Sequence, residues 1–147
     1  MVWFRATGMA PACRGAAGPA PRLEAGPRPQ HDGPVPPALT VPSTDGVTVA
    51  VHDLGGEGPP LVVCHATGFN GGAYAAFARA LTSERHVWAL DFRGHGASTP
   101  PARVPEGYGW DHVVHDLLAV LDLDELGGGP FDLVGHSMGG AVICMAE

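Results

Sequence analysis

Apolar residues in this chain gather in short dense runs, and between the runs they recur every three or four positions. Leu61-Val62-Val63-Cys64, His86-Val87-Trp88-Ala89-Leu90 and Phe131-Asp132-Leu133-Val134 are too short for helices. Near-continuous apolarity over four or five residues is the pattern of a strand covered on both faces, as in a parallel sheet. Val47-Thr48-Val49-Ala50-Val51-His52 reads as an earlier strand that follows a turn at Asp45-Gly46 and is broken by the Gly and Pro residues of 55–60. Tyr74, Phe77, Ala78 and Leu81 share one helical face. So do Val113, Val114, Leu117, Leu118 and Leu121, in a helix halted by Gly127-Gly128-Gly129-Pro130. A third helix is expected to start near Met138. Strands that alternate with single helices predict an α/β fold, a mostly parallel sheet flanked by helices.

Residues 1–40 lack this periodicity. They hold eight Pro, eight Ala and five Gly, too little apolar surface to offset the entropy of ordering. The expected organisation is a disordered tail over 1–40 and a folded unit over 41–147. Composition narrows the function classes further. Net charge is −7, with no lysine and no basic stripe, which argues against nucleic-acid binding. Three widely spaced cysteines, Cys13, Cys64 and Cys144, fit neither a disulfide framework nor paired zinc ligands, and a reducing, cytoplasmic setting is expected. No apolar run is long enough to span a membrane.

The chemistry sits after the last apolar run, in Gly135-His136-Ser137-Met138-Gly139, a G-x-S-x-G sequence at a strand-to-helix junction. Such a turn holds its central residue in strained backbone angles and exposes the hydroxyl, provided the flanking glycines leave room. The competing reading is a serine that merely caps a helix. Asp111, His112, His115 and Asp116 form two i,i+4 pairs on the second helix, which read as outer-face polar residues in preference to a metal site. Cys144 is expected to be a small buried residue on the third helix.

Two further motifs accompany the serine: His65-Ala66-Thr67-Gly68-Phe69 and Asp91-Phe92-Arg93-Gly94-His95-Gly96-Ala97-Ser98, each at a strand end. Together the three resemble the α/β-hydrolase family over residues 41–147, with the second motif matching its D-x-R-G-x-G-x-S loop. The resemblance implies that Ser137 is a nucleophile and that the Met138 N–H is one oxyanion donor. Phe69 N–H is expected to be the second donor, with Thr67 the alternative because the family's His-Gly pair aligns in two ways. His65, His95 and His136 are expected to serve the scaffold, as are Asp91 and Arg93. The implied substrate is a small acyl compound such as a carboxylic ester, with neither metal nor organic cofactor.

The same resemblance puts an acid and a histidine after the serine, yet the ten residues beyond Ser137 include no histidine. A partial fold that stops after this turn is therefore expected, with the Phe131–Val134 strand left as an open edge. Such a chain should hydrolyse esters poorly by itself. The alternative is a non-catalytic fragment, or half of a split protein.

Overall fold

The computed structural model describes residues 1–6, 35–127 and 129–147. Among the described residues six strands form one sheet: β1 (Val2–Ala6), β2 (Leu39–Pro42), β3 (Thr48–Gly55), β4 (Pro60–Cys64), β5 (His86–Asp91) and β6 (Phe131–Gly135), in spatial order β1-β6-β4-β5-β3-β2. The centre is parallel, with Val62 of β4 beside Trp88 of β5 and Leu133 of β6. On one side β3 runs antiparallel to β5 and β2 antiparallel to β3, and on the other β1 runs antiparallel to β6. Helices α1 (Ala75–Arg79), α2 (Trp110–Leu121) and α3 (Met138–Ala146) connect or follow the central strands.

Burial on both faces explains the unbroken apolar runs. Leu61 and Val63 of β4, Val87 and Ala89 of β5 and Val134 of β6 pack with Tyr74 and Ala78 on the α1 side. The alternate residues Val62, Cys64, Trp88, Leu90, Phe131 and Leu133 meet Val113, Leu117, Val120, Val142 and Ile143 of α2 and α3. Each fully buried Val, Leu or Phe contributes roughly 1.5–3 kcal/mol relative to exposure, so a charge on any central strand would unseat one layer.

Three expectations need correcting. The open edge of β6 is covered, because Val2 to Ala6 pair in register with Gly135 to Phe131. Residues 1–40, read as a tail, include β1 and the first two residues of β2, Leu39 and Thr40, while 7–34 lie outside the described residues. Asp116 is not on the outer face of α2 but fully buried, and His112 and His115 pair with Thr44 Oγ1 and the Asp111 carbonyl instead of the expected carboxylates. Cys144 is exposed, since α3 buries the stripe of Gly139, Gly140, Val142 and Ile143 and Cys144 lies beyond its margin.

Among the described residues no helix is long and apolar enough to cross a membrane.

Candidate active site

Parallel strands deliver their C-terminal ends to one edge, so the loops after β4, β5 and β6 meet there. The turn after β6 is held against β4 by hydrogen bonds from His136 N–H to Cys64 O at 3.0 Å and from Gly139 N–H to His65 O at 3.1 Å. That closeness explains the glycines. A Cβ on Gly139 would stand 2.1 Å from Cys64 O, and one on Gly135 would stand 2.4 Å from Gly140 N. Within this turn Ser137 takes φ +51° and ψ −113°, a strained conformation for a non-glycine residue. Its side chain is exposed and makes no capping hydrogen bond, which removes the helix-cap reading.

The loop after β4 lies alongside. Thr67 Oγ1 reaches Met138 Sδ at 3.4 Å, so Thr67 and the residue after Ser137 are neighbours. Phe69 N–H donates to Ala66 O at 3.0 Å to close a turn, and is therefore not a free donor. No backbone hydrogen bond from the Thr67 N–H is found among the described residues. The Phe69 ring instead stands half-exposed beside His136 and Tyr74, with centroids 6.0 and 6.3 Å away.

Each nearby histidine has a scaffold partner. His65 is fully buried, with Nδ1 donating to Ala66 O at 2.7 Å and Nε2 accepting Phe92 N–H at 2.9 Å, and burial lowers its pKa below the ordinary imidazole value. His95 Nδ1 meets Arg93 O at 3.0 Å. His136 Nδ1 meets the Tyr74 hydroxyl at 2.9 Å.

The loop after β5 is a polar scaffold. The Asp91 carboxylate accepts Gly71 N–H at 2.6 Å and Ala97 N–H at 2.8 Å, and Gly96 at φ +53° leaves the carboxylate space that a Cβ would fill. Buried His52 places Nε2 3.0 Å from Asp91 Oδ1, off hydrogen-bond alignment, and Nδ1 2.9 Å from Val35 O. Burial opposes charge on both groups. The pair's mutual attraction and the N–H donors to Asp91 outweigh it, raising the His52 pKa and lowering that of Asp91.

The sign of the pH effect follows from these directions. A raised histidine stabilises the fold fully below its unfolded value of 6.5, and that stability is lost as pH rises through the folded pKa. A lowered aspartate stabilises above 3.8 and loses its contribution as pH falls through its folded pKa. The pair's contribution should therefore peak between those values. Urea unfolding midpoints measured across pH should decline on the alkaline side, and His52→Gln should flatten that decline; an unchanged slope would assign it to other groups.

Arg93 and Asp116 form a second buried centre. Arg93 Nε and Nη2 bond the two Asp116 oxygens at 2.9 and 2.6 Å, Nη1 bonds Gly107 O at 2.9 Å, and Ser43 Oγ donates to Asp116 Oδ1 at 2.6 Å. The clue to this in the sequence was a carboxylate within the apolar stripe Val113, Leu117, Val120 and Leu121 of α2.

The family model for the alpha/beta hydrolase fold matches residues 59–146, which hold all three loops. This chain belongs to the α/β-hydrolase-fold family. It is 39% identical over 114 residues to the dihydrolipoyllysine-residue acetyltransferase component of the acetoin cleaving system from Pseudomonas putida, covering 77% of this chain and 29% of that protein. It is also 39% identical over 100 residues to the non-heme chloroperoxidase CPO-A1 of Kitasatospora aureofaciens, covering 65% of this chain and 33% of that protein. Among solved structures, an alpha/beta hydrolase from Sphaerobacter thermophilus DSM 20745 superposes with a TM-score of 0.63 at 30% identity, over 74% of this chain and 39% of that one. The chain thus spans about a quarter to a third of the length of the curated relatives it matches.

Proposed function

We propose that the whole protein is a serine hydrolase in which Ser137 attacks a carboxylic ester or a related small acyl substrate. The observation that carries this reading is the strained, exposed Ser137, held at φ +51° with no capping bond at the edge where three loops converge. A helix cap has no use for that strain, whereas a nucleophile needs its hydroxyl standing clear of the backbone.

In the proposed reaction Ser137 Oγ bonds to the acyl carbon and the carbonyl oxygen becomes an oxyanion. The N–H groups of Met138 and Thr67 hold that charge, assisted by the N-terminus of α3. Collapse expels the alcohol, and water then releases the acid from the acyl-enzyme. The family resemblance implies a histidine of the whole protein as the base that accepts the Ser137 proton; His65 has both ring nitrogens bonded and His136 Nδ1 is engaged by Tyr74. A cytoplasmic location is part of this proposal, resting on an odd number of widely spaced cysteines in the sequence.

The test is a fluorophosphonate probe, which reports an activated serine without assuming a substrate. The whole protein should label and its Ser137→Ala variant should not, a loss of essentially all signal at unchanged folding by circular dichroism. A folded wild type that stays unlabelled would leave the alternative: a chain that keeps the turn without the chemistry.

A further inference from the structure

The Tyr74 hydroxyl joins the two loops that carry the oxyanion donors. It accepts the Ala66 N–H at 3.2 Å and lies 2.9 Å from His136 Nδ1. A phenol has one proton. With the His136 ring protonated on Nε2, the Tyr74 O–H donates to Nδ1 while its oxygen accepts the Ala66 N–H, an arrangement that satisfies both polar groups. Ala66 directly precedes Thr67, and His136 directly precedes Ser137 and Met138. Tyr74 is 8% exposed and its ring packs in the α1-side core with Leu61, Val63 and Val134, which fixes where the hydroxyl stands. Its ring also meets that of His136 nearly edge-on, at a centroid distance of 6.3 Å and an interplanar angle of 74°.

Sequence spacing accounts for the ring of Tyr74 on the apolar face of its helical segment, but a phenylalanine would serve that face equally well. The hydroxyl is what remains to be explained, and its two partners belong to the two segments whose separation the proposed reaction must control.

We propose that Tyr74 is a positioning residue for the oxyanion site, holding the Thr67 and Met138 N–H groups at a fixed separation through Ala66 and His136. This rests on the serine-hydrolase reading above. Oxyanion donors act only when aimed at where the charge develops, so a loosened tie lowers the rate of the chemical step more than it weakens reversible binding.

The experiment is a time course of fluorophosphonate labelling over a range of probe concentrations on intact wild type, Tyr74→Phe, His136→Leu and the double variant. Tyr74→Phe keeps the ring and should lower the limiting labelling rate on the order of tenfold while the half-saturating probe concentration stays the same. If the tie runs through His136, Tyr74→Phe should cost far less in the His136→Leu background than in wild type. Labelling by Tyr74→Phe at the wild-type rate would overturn the positioning role and leave the nucleophile reading intact. A tenfold slowing that multiplies in full in the double variant would overturn the route through His136. Absence of labelling in folded wild type would overturn the nucleophile reading, and this proposal with it. Should His136→Leu fail to fold, His136→Phe removes the ring nitrogens while keeping a planar ring and gives the same comparison.

Discussion

Arg93→Leu is expected to destabilise the protein by about 3–5 kcal/mol, because it strands the Asp116 carboxylate in the core. Both side chains are fully excluded from solvent, and the guanidinium also holds Gly107 O, Ser43 Oγ and Thr44 Oγ1. The contact therefore fastens the loop after β5 to α2, to Ser43 and Thr44 between β2 and β3, and to the stretch around Gly107. Its net contribution against an apolar replacement is small, since two charges had to be desolvated to form it; the large cost arises only when one partner is left alone. Two comparisons separate these effects. Arg93→Lys keeps the charge but lacks the planar fork, and should still lose a large part of the stability. The double variant Arg93→Leu with Asp116→Leu should be less destabilised than Arg93→Leu alone. Urea unfolding checks each, and a cost below about 1 kcal/mol for Arg93→Leu would mean the pair behaves like a solvated surface bridge.

Gly139→Ala is the second large expected effect, at about 3 kcal/mol or more of lost stability. Two terms compete. Alanine inside a helix is favoured over glycine by up to ~1 kcal/mol. Against this, the new methyl would sit 2.1 Å from the carbonyl oxygen of Cys64 and 2.5 Å from its carbonyl carbon. Those atoms are backbone of the central strand β4 and cannot swing aside like a flexible side chain. The clash prevails, either pushing α3 away from β4 or breaking the Gly139 N–H bond to His65 O. In both cases Met138 moves with the helix, so fluorophosphonate labelling should fall together with the unfolding midpoint. A variant as stable as wild type would show that the turn does not need the close approach seen here.

Local pattern was enough to read much of this molecule. The four runs over 47–52, 61–64, 86–90 and 131–134 became β3, β4, β5 and β6, because a strand buried on both faces must be apolar along its length. The second and third helices lie where spacing and the G-x-S-x-G turn put them, while the first proved shorter, a single-turn approach over Gly71–Tyr74 leading into α1. Ser137 was visible for the same reason: its strain and its glycine neighbours are local requirements of one turn.

Other features had no local signature. Val2–Ala6 carries no alternation and becomes a strand only because β6 offers it an edge at the far end of the chain. Leu39–Pro42 likewise gains its strand from pairing with β3, its proline at the end of an edge strand. The Phe69 N–H bond to Ala66 O is of this kind, and the hydroxyl of Tyr74 found its partners only once β4 and β6 brought Ala66 and His136 together. Periodicity records which side of an element faces apolar surroundings, because that is a property of consecutive residues. Which distant group meets a buried polar atom is settled by the packing of whole elements, and so becomes visible only in three dimensions.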